Sequence, residues 1–174
     1  MAEIVVRPPA RADDRSGFAC GNIELDRFFQ RYAGQNQFRH HIGTTHVVLD
    51  GDRILGFVTV SPGELAADPV TSEIRRRLPG YPLPILRISR LAVDGRAQRH
   101  GVGKLLLRYS FRLAIELRDR FGCVGVVVDA EAGAVDFYRK LGFRPLTAIV
   151  GTLGDRPEPL PMFLAIRSIA AVST

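Results

Sequence analysis

The chain has 174 residues, 46% of them hydrophobic, enough for one buried core and too many for a disordered tail, so a single domain over residues 1–174 is expected. A net charge of +6, with all but two of the 24 basic residues arginine, favours anionic partners, because guanidinium forks match phosphates bidentately. Two distant cysteines, Cys20 and Cys123, indicate neither a disulfide framework nor a zinc site and are expected as buried thiols, and no apolar run approaches the roughly 20 residues of a membrane span.

Residues 3–7 alternate as an opening strand that Pro8-Pro9 stops. Asn22 is placed to cap a helix over 23–40, whose Leu25, Phe28, Phe29 and Tyr32 recur at helical spacing and predict an apolar stripe for the core. Residues 45–49 and 53–60 are β-rich runs joined by Asp50-Gly51-Asp52, which reads as a hairpin. From 61 to 84, five prolines and two glycines surround Arg75-Arg76-Arg77, predicting a connection with one short helix around 72–78. Residues 85–93 read as a central strand, 103–121 as a long amphipathic helix and 124–129 as a strand buried on both faces. A helix over 132–141 follows, then Gly142-Phe143 turning into a strand near 144–150, and a last strand over 162–169. The N-terminal residues carry no basic-then-apolar leader pattern, so a cytoplasmic location is expected.

Gln98-Arg99-His100-Gly101-Val102-Gly103 joins the central strand to the long helix. Two glycines let the backbone curl so that successive N–H groups converge where a helix N-terminus adds positive potential, which makes the stretch a candidate pyrophosphate cradle. The spacing is neither the three-glycine dinucleotide fingerprint nor a P-loop, because Lys104-Leu105 follows Gly103. Glycines ahead of a helix also serve as plain turns, and the rest of the chain has to decide between the two.

Gln98 to Gly103 resembles the Gln/Arg-x-x-Gly-x-Gly/Ala signature of the GNAT family of acetyl-CoA-dependent N-acetyltransferases, preceded, as in that family, by a strand ending Arg90-Leu91-Ala92-Val93-Asp94. Ala134 to Phe143 is similar to its second landmark, an aromatic pair on a helix followed by Gly-Phe. The resemblance covers nearly the whole chain and implies an α/β GNAT fold: one mixed, partly parallel sheet of six to seven strands, helices on both faces and a splayed central pair. Within the family the chain most resembles the TacT-like toxins of bacterial toxin–antitoxin pairs. Phe18-Ala19-Cys20-Gly21-Asn22 with Leu25-Asp26-Arg27-Phe28-Phe29, Ile54 to Val60, the central strand and the Tyr138 helix carry that likeness. Arg99-His100 departs from the small-basic pair usual there.

The resemblance implies that Leu91, Ala92 and Val93 pair through their main chain with the pantetheine arm of acetyl-CoA, and that the Val93 N–H polarises the thioester carbonyl. It places the pyrophosphate on Gln98, Arg99, His100, Gly101, Val102, Gly103 and Lys104, adds Phe137 to the cofactor contacts, and makes Tyr138 the acid for the departing thiolate, with a plain packing aromatic as the alternative. No metal is expected, since His40, His41, His46 and His100 have no ligand spacing; His100 can instead meet a phosphate. Asp94, Asp129 and Glu131 read better as residues that satisfy backbone N–H groups than as a general base. An α-amine near pKa 7.7 is neutral far more often at pH 7 than a lysine near 10.4, by roughly 3.7 kcal/mol, so it can dispense with a strong base.

Together these imply a toxin that acetylates the α-amine of aminoacyl-tRNA, with Arg75, Arg76, Arg77, Arg87 and Arg90 on the tRNA side and Arg99 nearby. The partners implied are aminoacyl-tRNA, a small ribbon-helix-helix antitoxin and, as an open alternative, a second copy of the chain; no membrane partner is implied. Two other readings stay open: an acetyltransferase for a small-molecule amine or protein N-terminus, and a non-catalytic docking module. The arginine run argues against a pocket for cationic amines, and the intact glycines and Tyr138 argue against a module without activity.

Overall fold

In the computed structural model, which describes residues 3–65, 82–146 and 159–172, seven strands hydrogen-bond in the order β1-β2-β3-β4-β5-β7-β6. They are β1 (Ile4–Arg7), β2 (Thr44–Asp50), β3 (Arg53–Leu65), β4 (Leu83–Val93), β5 (Gly125–Ala130), β6 (Arg144–Pro145) and β7 (Leu160–Ala165). The helices are α1 (residues 23–40), α2 (Val102–Arg120), α3 (Val135–Lys140, after a 3-10 turn over Ala132–Ala134) and α4 (Ile166–Val172). The chain divides into two compact units, Met1–Ser61 with Ile88–Arg112, and Pro62–Arg87 with Leu113–Thr174, so β3, β4 and α2 each contribute to both.

In the first unit, β1, β2 and β3 form an antiparallel meander, and the hairpin predicted at Asp50-Gly51-Asp52 pairs Asp50 with Arg53. The Asn22 side chain accepts from the N–H groups of Glu24 (3.0 Å) and Leu25 (3.2 Å), which opens α1. Phe18, Phe28, Phe29 and Ala33 then pack on Val47, Leu49, Ile54, Phe57 and Ala92. Phe29 stacks on Phe57 at 4.4 Å between centroids, and Phe18 meets both rings edge-on. Burying aromatic area of this kind supplies the largest single share of a small core, roughly 1.5–3 kcal/mol per side chain.

Two features of α1 depart from the expected stripe. The segments Phe28–Tyr32 and Asn36–His40 are π turns, whose wider spacing slips the phase of the helix. Tyr32, predicted for the core, is consequently 48% exposed, and Ala33 takes the buried position at 1%. Cys20 is only partly buried, in contrast to Cys123.

In the second unit, Leu65, Leu83, Ile85, Val127, Leu146 and Phe163 form the core. β5 pairs antiparallel with β7 from Gly125 opposite Ala165 to Ala130 opposite Leu160. Gly125 is required there, because a Cβ would collide with the Leu164 carbonyl and the Phe163 ring. β3 runs five residues past its predicted end at Val60, through alternating half-buried and exposed positions. The last strand stops at Ala165 instead of reaching Ile169, and α4 begins at once, with the Ile166 N–H donating to the Val124 carbonyl. Of the strand expected over 144–150, Arg144–Pro145 form β6, Leu146 follows as non-strand and residues 147–150 lie outside the described residues, as does the short helix expected over 72–78.

A buried polar group ties β2 to α2 in the first unit. His46, 6% exposed, shares a 2.9 Å hydrogen bond between Nδ1 and the Tyr109 hydroxyl, and burial pushes its pKa down to about 4. The folded state therefore holds this ring neutral where the unfolded chain, near its ordinary 6.5, takes up a proton. Stability should be full above about pH 6.5 and fall by up to one proton's worth of slope as the pH drops toward 4. Urea unfolding at stepped pH checks this, with His46→Gln expected to flatten the profile over that interval.

Candidate active site

β4 ends at Val93, and the chain is held in a tight turn by Asp94, which is 2% exposed. The Asp94 N–H donates to the Leu55 carbonyl at 2.8 Å, while its carboxylate accepts from the Ala19 N–H (3.3 Å) and from the N–H and Nε of Arg96 (3.0 and 3.1 Å). Burial pushes that carboxyl up, yet the hydrogen bonds from Arg96 and Ala19 outweigh it and leave it below the ordinary carboxylate value. The Gly95 N–H donates to the Ala19 carbonyl, and Gln98 Nε2 bridges the carbonyls of Cys20 (2.9 Å) and Val93 (3.1 Å). The Gln98 side chain thereby clamps this turn to the loop that precedes α1.

Beyond this clamp the backbone turns left-handed twice, at Arg99 (φ +67°) and Gly101 (φ +83°). The space above Gly101 is open, with nothing within 4 Å of where its Cβ would be. The first α2 bond runs from the Leu105 N–H to the Gly101 carbonyl at 3.0 Å, so the N–H groups of Val102, Gly103 and Lys104 have no carbonyl one turn back. Those three donors and the positive end of a 19-residue helix fit a pyrophosphate. Arg99, His100 and Lys104 are exposed around them. Leu91 and Val93 are half-buried and Ala92 buried.

Gly56 on β3, which lies in the Ile54 to Val60 run but is assigned no role of its own by the sequence, makes this junction fit. A Cβ there would lie 2.9 Å from the Ala92 carbonyl and 3.0 Å from Val102 Cγ1, against the end of β4 and the start of α2. A glycine inside an otherwise apolar strand was the available signal.

In the second unit, Tyr138 on α3 is 4% exposed and meets Phe137 and Phe143 edge-on, at 5.2 and 5.4 Å between centroids. Gly142 (φ +97°) ends α3, its N–H donating to the Arg139 carbonyl, and the Phe143 N–H returns to the Tyr138 carbonyl at 3.1 Å. That return is the physical content of the Gly-Phe landmark: it packs Phe143 against the Tyr138 ring. Burial, reinforced by the Glu131 carboxylate, pushes the phenol well above its ordinary pKa, so it holds its proton throughout the neutral range. Among the described residues the hydroxyl has no hydrogen-bond partner, and no buried polar side-chain atom is left unsatisfied, so this oxygen keeps access to the surface.

The arginines expected to meet nucleic acid fare differently. Arg87 forms a two-pronged pair with Asp129 (3.0 and 2.8 Å). Arg90 lies 3.7 Å over the Phe28 ring centroid. Arg75, Arg76 and Arg77 lie outside the described residues. Cys20 is pushed up to about 11 by burial and by the neighbouring Asp26, which makes it a poor nucleophile. Among the described residues no cluster of histidine, cysteine or carboxylate side chains could hold a metal ion, and no helix is long and apolar enough to cross a membrane.

A mixed seven-stranded sheet, with a glycine-bearing turn that leads from β4 into the long helix α2, is the architecture to be placed among known proteins. Residues 41–145 match the family model of the acetyltransferase (GNAT) domain, and the chain belongs to the GNAT acetyltransferases. It is 31% identical over 119 residues to a tRNA-acetylating toxin of Mycobacterium tuberculosis (strain ATCC 25618 / H37Rv), covering 68% of this chain and 70% of that protein. It is 26% identical to a probable toxin TacT of Sinorhizobium fredii (strain NBRC 101917 / NGR234), covering 91% and 88%. The solved structure of AtaTR bound with AcCoA superposes with a TM-score of 0.78 at 25% identity, covering 98% of each chain. The protein is thus an N-acetyltransferase with acetyl-CoA as its acetyl donor.

Gly103 lies in the first turn of α2 with helical neighbours on its C-terminal side, so Gly103→Val should leave the thermal midpoint within a few degrees while adding bulk where the phosphates approach. Calorimetric titration with acetyl-CoA is expected to show at least a roughly 100-fold loss of affinity, and unchanged affinity in the folded variant would remove the cradle from the site.

Proposed function

We propose that this acetyltransferase acts on the α-amine of the amino acid carried by tRNA, and that its cellular effect is to block translation as the toxin of a toxin–antitoxin pair. The observation that carries the acceptor assignment is that two of the three carboxylates suggested as a base are already engaged. Asp94 holds the cradle turn through three hydrogen bonds, and Asp129 is paired with Arg87. An acceptor amine that is substantially neutral at pH 7 needs little help, and an α-amine meets that condition where a lysine does not. The likeness to the tRNA-acetylating toxin of Mycobacterium tuberculosis supports the same acceptor.

In this reading acetyl-CoA brings an acetyl group on a thioester. The N–H groups of Val102, Gly103 and Lys104 hold its pyrophosphate, the main chain of Leu91 to Val93 aligns its arm, and the Val93 N–H stabilises charge on the carbonyl oxygen. The acceptor nitrogen forms the new N–C bond and the C–S bond breaks; the Tyr138 hydroxyl passes its proton to the departing sulfur, while the proton shed by the acceptor nitrogen leaves to water, which returns one to the phenolate. Phe137 packs beside Tyr138 and sets the ring's orientation. The product amide nitrogen can no longer accept the nascent peptide. The whole chain acts as one functional domain in the cytoplasm, neutralised by a small ribbon-helix-helix antitoxin whose acidic or amphipathic segment covers the basic acceptor side; self-association belongs to the same proposal.

Tyr138→Phe should keep acetyl-CoA affinity within a few-fold and slow single-turnover transfer by about 100-fold or more, because only the donated proton is lost. A wild-type rate in that variant would make Tyr138 a packing residue.

Radiolabelled transfer to charged tRNA, beside deacylated tRNA, polyamines and lysine peptides, tests the acceptor. Label is expected on charged tRNA alone, and label only on polyamines or peptides would leave a general acetyltransferase. Charge reversal at Arg75, Arg76 and Arg77 is expected to weaken that transfer without changing acetyl-CoA binding.

A further inference from the structure

The first unit carries an open cleft of about 500 Å³ lined by Arg11, Arg15, Gly34, Gln35, Phe38 and Arg39. Three guanidinium groups therefore share one concavity with an aromatic ring and a primary amide. The carboxylates nearest in sequence do not neutralise them. Asp13 is taken bidentately by Arg7 at 2.8 Å, with the field of Arg15 acting on it from farther off, and Asp14 accepts from the N–H and hydroxyl of Ser16. Among the described residues none of Arg11, Arg15 and Arg39 forms an ion pair.

The cleft is also built. Arg11 lies 5.3 Å over the Phe38 ring centroid, so one cation is fixed against an aromatic face. The Arg15 guanidinium rests on the α1 backbone at Gly34, where a Cβ would come within 2.9 Å of both its terminal nitrogens. Glycine in a helix interior costs about 1 kcal/mol relative to alanine, and here it makes the room that Arg15 fills. Gly34, Phe38 and Arg39 share one face of α1 through the π turn Asn36–His40, a local geometry common at functional sites.

We infer that this cleft is a phosphate-binding site for the sugar-phosphate backbone of RNA, holding the acceptor substrate at a point separate from the acetyl-CoA cradle. Guanidinium forks recognise phosphodiesters bidentately, and stacking on Phe38 holds one of the three in place for that contact. The inference rests on the aminoacyl-tRNA reading and extends it to a second anion site that Arg75, Arg76 and Arg77 do not supply.

The test uses the full chain and a fluorescent acceptor-stem RNA hairpin, with affinity measured across a salt series. The variant Arg11→Gln/Arg15→Gln/Arg39→Gln should weaken binding at least about 10-fold near physiological salt and lower the slope of log affinity against log salt by about 3, one for each lost phosphate contact. Gly34→Ala should displace the Arg15 guanidinium without harming the helix and lower the slope by about 1. A control of equal charge change, Arg53→Gln/Arg112→Gln/Arg120→Gln, should have the smaller effect, and acetyl-CoA affinity should be unchanged throughout. RNA affinity in the cleft variant equal to that of the control, in a protein that still acetylates charged tRNA, would overturn the cleft and leave the function standing. Wild-type protein that neither binds RNA nor acetylates charged tRNA would overturn both. Selective loss of binding to a polyglutamate peptide, with RNA binding intact, would reassign the cleft to an acidic protein segment.

Discussion

The carboxylate of Asp94 is the constraint on which the junction between β4 and α2 depends. It lies at the point where β4 must stop and the chain must turn back into α2, and it is buried, so every lone pair it turns inward has to be met. The donors that meet it come from two places: Arg96 within the turn itself, and Ala19 in the loop before α1. Gly95 and Gln98 add two more ties to the same loop. Phe18, one residue upstream of Ala19, belongs to the aromatic core with Phe29 and Phe57. Packing of the α1 aromatics is therefore transmitted, through a few hydrogen bonds, to the backbone that leads into Val102, Gly103 and Lys104 at the start of α2. Pre-organisation of that kind is what lets a loop bind an anion without first having to order itself.

Charge is distributed with similar specificity. The excess of arginine gives an overall positive field, but individual guanidinium groups are used in different ways. Arg7, Arg87 and Arg96 are fixed by carboxylates, and Arg90 covers an aromatic ring. Net charge alone did not distinguish these from cations that face solvent, and position along the chain did not either. Arg87 illustrates the difficulty: its sequence neighbours are strand residues, and its partner Asp129 lies 42 residues away on another strand.

Much of the fold was legible because its signals are local. The Asn22 cap, the Asp50-Gly51-Asp52 hairpin, the glycine-bearing turn into α2 and the Gly142-Phe143 exit from α3 each depend on a few adjacent residues with restricted backbone preferences. Asp94, read from the sequence as a residue that satisfies backbone N–H groups, does that. What escaped depended on tertiary fit. The two π turns in α1 leave no mark in composition, and they exchange Tyr32 for Ala33 in the core. Gly56 looks like a weak point in a strand until the atoms of Ala92 and Val102 are seen above it. β3 passed its expected end because alternate residues beyond Val60 stay half-buried despite Pro62. That the side chain of Gln98 would bridge the carbonyls of Cys20 and Val93 could not be read from its neighbours in sequence.

The burial of Tyr138 carries a kinetic implication. A phenol raised well above its ordinary pKa does not lose its proton anywhere in the physiological range. For an enzyme that uses this phenol as its acid, the descending alkaline limb of a bell-shaped rate profile moves out of the accessible window. What remains is a single ascending limb, set by the acceptor amine as it becomes neutral. The pH profile of such a catalyst becomes a titration of its substrate, and exchanging one amino acid for another on the acceptor would shift the curve by the difference in their amine pKa values while the protein contributed nothing to the shift.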